Sequence, residues 1–155
     1  ALGYNYRMTD LHAALGVSQM QRLDSFIDSR QRLASRYHEK LADLPITLPK
    51  QLSDTASSWH LYIIRLHLDS DSSRLNNQTH QEIFTALREH GIGVNLHYIP
   101  VHLQPYFQRL GFVEGDFPVA EAYYQTALSI PLFHGMSDEQ QDQVIQALRD
   151  VLIPE

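Results

Sequence analysis

Apolar residues at Leu11, Leu15, Leu23, Phe26, Ile27, Leu33, Ala34, Tyr37, Leu41 and Leu44 recur mostly three or four positions apart. That spacing is one face of a helix and predicts helical structure from residue 10 to about residue 44. Thr9 stands where an N-cap hydroxyl belongs, and Asp10 places a carboxylate at the positive end of the helix dipole. His12 occupies the position at which a capping box takes Glu or Gln. A straight helix of about 35 residues would run roughly 50 Å, more than a small domain spans, so a bend or a projection is expected. Gly16 and Ser18, both poor helix formers, mark where a bend costs least, and Pro45 and Pro49 close the segment.

The run WHLYIIRLHL, residues 59–68, is rich in aromatic and β-branched residues and predicts a strand. Both of its alternating sets are apolar, so both sheet faces are expected to be at least partly covered. The polar run DSDSSRLNNQ, residues 69–78, is expected to be a solvated loop. Thr79 and Glu82 form a capping box ahead of Ile83, Phe84 and Leu87, with Gly91 as the stop. IGVNLHY, residues 92–98, alternates Ile92, Val94 and Leu96 against Gly93, Asn95 and His97, the pattern of a half-buried strand. Pro100 and Pro105 bracket an aromatic connection, Gly111 and Gly115 flank a turn, and Asp116 with Pro118 starts a helix. ALSIP, residues 127–131, predicts a short strand. A second capping box, Ser137 with Gln140, opens a final helix carrying Val144, Ile145, Leu148, Val151 and Leu152. Crossover lengths permit a parallel sheet, but only three strands are expected and the connection over 98–127 is long and proline-bracketed. A small mixed or antiparallel sheet with helices on one side fits better, which is the α+β class.

With 155 residues, 43% of them hydrophobic, the chain suits one domain with its own core. A net charge of −6 opposes a nucleic-acid partner, since such binders concentrate Lys and Arg on one face. No apolar run approaches the ~20 residues of a membrane span and no signal peptide opens the chain, so a cytoplasmic protein without membrane contact is expected. Cysteine is absent, which excludes disulfides and thiolate chemistry. Nine histidines raise the question of a metal, but no carboxylate or cysteine stands at ligand spacing from His97 and His102, and none is expected. HYIPVHLQPYF sets His97, Tyr98, His102 and Gln104 on a loop stiffened by proline: either a polar ligand pocket or a packed aromatic loop. Tyr4, Asn5, Tyr6 and Arg7 offer two phenols, an amide and a guanidinium, suited to a ligand or simply a polar lead-in to the helix.

GYNYRMTDLHAALG followed by SQMQRLD, then GIGVNLHYIPVHLQPYF and AEAYYQTALSIPLFHGMS, resembles the C-terminal domain of the DegT/DnrJ/EryC1/StrS sugar aminotransferases. The usual wording has Ile-Gln where this chain has Leu11 and His12. The resemblance implies that residues 1–155 are the small C-terminal domain of a fold type I enzyme using pyridoxal 5'-phosphate (PLP). A long first helix and a three-stranded, mainly antiparallel sheet covered by helices would build it. It implies a homodimer moving an amino group from L-glutamate to a ketone carbon of a UDP-linked sugar. The wording is nearest to C4 aminotransferases of the pseudaminic acid route, which act on a UDP-linked 6-deoxy-4-keto-N-acetylhexosamine. On that resemblance Asn5 reaches the partner subunit's cofactor phosphate, while Tyr6, Arg7, His97, Tyr98 and His102 face the nucleotide sugar, where a guanidinium fork suits a diphosphate. The family's Schiff-base lysine lies upstream. The lysines here are Lys40 and Lys50, neither in a setting that would desolvate an amine, so this chain alone is expected to be inactive. The competing expectations are a free-standing interaction or dimerisation domain built on the first helix, and a small sugar-binding module using residues 98–107.

Overall fold

A computed structural model describes residue 4 and residues 6–68 and 78–153. The expected loop over 69–78 therefore lies outside the described residues except for Gln78.

The first helical stretch is two helices, α1 (Asp10–Met20) and α2 (Leu23–Lys40). The interruption falls at Gln21 and Arg22 and not at Gly16 or Ser18. Arg22 leaves helical geometry at φ −109°, ψ 2°, and Ser25 donates its hydroxyl to the Arg22 carbonyl at 2.7 Å. Packing explains the position better than propensity. No residue of α1 is buried, whereas α2 carries Leu33, Ala34 and Tyr37 into the core. α2 ends at Lys40, short of Leu44, where the Arg149 guanidinium donates to the Lys40 carbonyl at 2.7 Å and meets both Asp43 carboxylate oxygens at 2.8 Å.

The sheet has four strands, β1 (Ile46–Thr47), β2 (Tyr62–Leu66), β3 (Asn95–Leu96) and β4 (Ala127–Ile130), against the three expected. Their order is β1-β2-β4-β3 and every pairing is antiparallel. β1 is two residues inside what reads as a proline connector, too short to show any alternation. β2 is half the predicted length. Trp59 lies outside it with φ +48°, a left-handed conformation costly for a bulky residue. Arg30 holds that corner by donating to the carbonyls of Trp59 (2.8 Å), His60 (3.2 Å) and Leu132 (3.1 Å).

One sheet face is thickly covered. Tyr62, Ile64 and Leu66 join Leu33 and Tyr37 of α2, Ile83 and Leu87 of α3 (His80–Glu89), and Val144, Ile145, Leu148, Val151 and Leu152 of α6 (Asp138–Leu152) in one core. Buried Gln141 is satisfied within it, donating to the Leu33 carbonyl at 2.8 Å and accepting from Arg36 at 3.2 Å. Both capping boxes form as expected, Thr79 with Glu82 and Ser137 with Gln140. At the end of α3, Gly91 (φ +78°) donates to the Arg88 carbonyl and Ile92 to the Leu87 carbonyl, each at 2.9 Å, the Schellman arrangement that favours glycine.

The other face is more thinly covered, within the expectation that both faces are at least partly covered. Ile63 is half-buried and Arg65 exposed. Over this face lies α5 (Pro118–Thr126), none of whose residues is buried. A short helix, α4 (Pro105–Gln108), follows a 3-10 turn at Val101–Leu103 in the connection from β3. Asp116 is not the N-cap of α5: Phe117 occupies that position, and the Asp116 carboxylate accepts the Val113 N–H at 2.9 Å instead. The alternation expected over 92–98 also breaks, because pairing ends at Leu96 and His97 turns inward to be buried.

Candidate functional site

The thinly covered sheet face opens into a cleft of about 790 Å³. Its floor is Ile63. One wall is the segment that leaves β3, with Tyr98, Ile99 and Val101; the other is the start of α5, with Phe117, Val119 and Tyr123. Apolar walls with few polar groups are the usual character of a small-molecule site.

His97 sits in the first wall, 7% exposed, and its Nε2 is buried without a protein partner. Burial holds its pKa below the ordinary 6.5, so the ring is neutral at neutral pH. An unpartnered buried polar atom costs roughly 1–3 kcal/mol, which a hydrogen-bonding partner at that nitrogen would recover. Tyr98, next in the chain, is 72% exposed and stands edge-on to the His97 ring with centroids 4.6 Å apart. A mostly bare phenol beside an unsatisfied imidazole can stack on a flat ligand and orient one of its polar groups.

His102 lies behind the wall rather than on it. Its buried ring places Nε2 2.7 Å from Glu121 Oε1 and packs on the Phe117 ring, centroids 4.8 Å apart. The Glu121 carboxylate also accepts the Gly115 N–H at 2.9 and 3.0 Å and the Phe117 N–H at 3.4 Å. Burial pushes the Glu121 carboxyl upward, but the hydrogen bonds from His102, Gly115 and Phe117 outweigh it and hold the group below the usual carboxylate range. Sequence reading passed over Glu121. Its one visible signal was a carboxylate in the first turn of a helix, and such residues are common there for the helix dipole alone.

The N-terminal loop is separate from this cleft. Tyr4 and Tyr6 stack on each other with ring centroids 5.5 Å apart and are both largely exposed; Arg7 is exposed too, and none of the three lines the cleft. Asn5 lies outside the described residues. Thr9 does cap α1, accepting the His12 N–H at 3.3 Å. The structure thus brings His97 and Tyr98 together, sets His102 one layer back, and leaves Tyr6 and Arg7 on their own.

A second cleft of about 830 Å³ near Trp59 contains His38, but there the ring nitrogens are engaged. Nδ1 lies 2.9 Å from the Ala34 carbonyl and 3.0 Å from the Tyr62 hydroxyl, and Nε2 lies 2.8 Å from the Pro49 carbonyl. That imidazole is a structural link. Among the described residues no group of three His, Cys, Asp or Glu side chains is placed to hold a metal ion, and no helix is long and apolar enough to cross a membrane.

The family model for DegT/DnrJ/EryC1/StrS aminotransferases matches residues 1–149. The spore coat polysaccharide biosynthesis protein SpsC of Bacillus subtilis (strain 168) is 40% identical over 153 residues, 97% of this chain and 38% of SpsC. Spr1654 of Streptococcus pneumoniae, solved in a PLP form, is 32% identical with a TM-score of 0.82 over 94% of this chain and 36% of its own. PseC of Helicobacter pylori, an aminotransferase of pseudoaminic acid biosynthesis, shares the fold with a TM-score of 0.86 at 24% identity, over 98% of this chain and 39% of PseC. This chain therefore spans well under half the length of these relatives. The residues present do not make a complete PLP site. Lys40 is half-exposed with Glu39 at 4.0 Å, Lys50 is exposed, and neither gives the enclosed amine that an aldehyde cofactor needs. The family match over residues 1–149, together with 40% identity to SpsC over 153 residues, shows that the chain belongs to the DegT/DnrJ/EryC1/StrS aminotransferase family.

Proposed function

We propose that this chain is the small C-terminal domain of a fold type I, PLP-dependent nucleotide-sugar aminotransferase. The full-length homodimer moves an amino group from L-glutamate to the C4 keto carbon of a UDP-linked 6-deoxy-4-keto-N-acetylhexosamine. PLP bound to the full-length protein supplies the electron sink for amino transfer. This domain supplies substrate contacts. His97 orients a polar group of the sugar nucleotide through the nitrogen left without a partner, and Tyr98 stacks beside it. Tyr6 and Arg7 meet the diphosphate, and Asn5 reaches the neighbouring subunit's cofactor phosphate. The observation that carries the reading is the buried, unpartnered His97 Nε2 in the wall of an otherwise apolar cleft. Family membership gives the reaction class, and the wording of the sequence segments supports the C4 ketone.

The test uses the full-length protein with L-glutamate and the UDP-4-keto sugar, following 2-oxoglutarate release and identifying the product by NMR. Tyr98→Ala is expected to lower sugar kcat/KM about tenfold or more, the loss of one stacked contact of about 1.4 kcal/mol. Unchanged kinetics in that variant would end the reading of this cleft as the sugar site. Residues 1–155 mixed with PLP should keep the free-aldehyde spectrum, and a borohydride-trapped adduct at one defined lysine would overturn their inactivity.

One observation favours a second reading, a non-catalytic interaction or dimerisation domain. α1 exposes Leu11, Leu15, Val17 and Met20, and a helix this short is marginal in water unless something covers it. Sedimentation and UDP titration of the chain alone separate the two: a tight dimer that does not bind UDP favours the second.

A further inference from the structure

Resting on the sugar-binding reading of the cleft, we infer that Glu121 is a positioning residue: its carboxylate pins the two cleft walls together and so sets where His97 and Tyr98 stand. The walls have little else to hold them. Over the described residues 98–126 only Pro100 and His102 are buried, and α5 buries none of its residues, so packing between the walls is slight beyond the Phe117 ring on the His102 ring. A polar link fixes their separation. Glu121 Oε1 accepts from His102 Nε2 at 2.7 Å, tying α5 to the 3-10 turn that follows Tyr98 and Ile99. The same carboxylate accepts the N–H groups of Gly115 and Phe117, which belong to the turn leading into α5.

Two features separate this from ordinary helix capping. The bonds to the Gly115 and Phe117 N–H groups are local, within six residues of Glu121; the contact to His102 spans 19 residues and reaches the turn behind the opposite wall. The pin is also shielded. His102 and Glu121 side chains are 7% and 12% exposed, with the Phe117 ring on His102 and the Phe112 ring 6.0 Å from Phe117. Hydrogen bonds to an ionised group hold their geometry best when water is kept away. Gly115 fits the scheme: at φ +94° it adopts a conformation costly to other residues while presenting its N–H to the carboxylate. Glu121 need not touch the substrate. It acts through the walls, by keeping Val101 and Phe117 at a fixed spacing.

The experiment separates the two half-reactions of the full-length protein. Glu121→Ala and His102→Ala are each expected to raise the KM for the UDP-sugar about tenfold, and the double variant no further than either single one, as for two partners in one link. The amino-donor half-reaction, read from cofactor absorbance with L-glutamate alone, should stay within about twofold of wild type, because a displaced sugar wall leaves that step intact. Glu121→Gln, which keeps the shape but turns an amide N–H toward the donors, should give a smaller rise in the same direction and guards against loss of folding. Calorimetric binding of UDP to these variants gives a readout independent of turnover. Parallel loss in both half-reactions would reduce Glu121 to a general fold contact and overturn the inference. Wild-type sugar KM in Glu121→Ala beside a raised KM in Tyr98→Ala would overturn it too, leaving the cleft reading standing. Wild-type sugar KM in Tyr98→Ala itself would remove the cleft reading and the inference together.

Discussion

The helices α1 and α6 start alike and end up in opposite surroundings. Thr9 accepts the His12 N–H at 3.3 Å and Ser137 accepts the Gln140 N–H at 3.2 Å, so a side-chain hydroxyl opens each helix. Both carry an acidic residue in the first turn and several apolar residues, gathered on one face in α6 and spread around the helix in α1. Yet α6 buries seven of its 15 residues and α1 none of its 11. A cap states where a helix begins, and an apolar stripe states that something will cover it. Neither names the covering surface, which for α6 is α2 and α3 in the same chain and for α1 is nothing among the described residues. Ion pairs sharpen the difference: Arg32–Asp138, Arg36–Asp142 and Arg149–Asp43 tie α2 and the turn after it to α6 from end to end.

Truncation breaks this comparison most directly. Leu148 of α6 is fully buried, and Leu148→Ala should cost about 3 kcal/mol of stability by urea unfolding, from lost transfer energy and the cavity left behind. Leu15→Ala in α1 should cost under about 0.5 kcal/mol in the same chain, as surface changes do. Equal costs would mean that α1 is packed in solution. Removing the caps gives a smaller contrast. Ser137→Ala should lower global stability by about 1 kcal/mol, while Thr9→Ala should reduce helicity by circular dichroism and leave the unfolding midpoint in place.

The smallest contrast is in acid. Hydrogen bonding from Arg149 holds the Asp43 carboxyl below its ordinary 3.8, and Arg32 does the same for Asp138. A carboxylate with a lowered folded-state pKa stabilises above its unfolded value and loses that contribution as pH falls through the folded value. The melting temperature should therefore drop as pH falls below about 4, and less so in Asp43→Asn and Asp138→Asn. These groups are exposed, and exposed pairs contribute little, so the shift should be the least of the three.

Residues close in sequence left the clearest marks. Both capping boxes and the Gly91 stop stand where the pattern places them, because each depends on contacts within about five residues. Of the candidate site residues, His97 and Tyr98 do share a cleft wall, on a loop rich in aromatic and imidazole groups. His102 was legible as chemistry but not as structure, since its partner Glu121 is 19 residues away. Similarly, β1 exists only because Ile46 and Thr47 meet Leu66 and Arg65.

By itself the sequence determined the α+β class, the starts of α1, α3 and α6, a chain without thiol chemistry and, through its matching segments, the family. The tertiary structure alone decided the break at Gln21 and Arg22, the fourth strand, the inward turn of His97 and the Glu121 link. Contacts within a turn recur with a period and leave a pattern in the chain. Contacts between distant segments have no period, and they exist only once the core has brought those segments together.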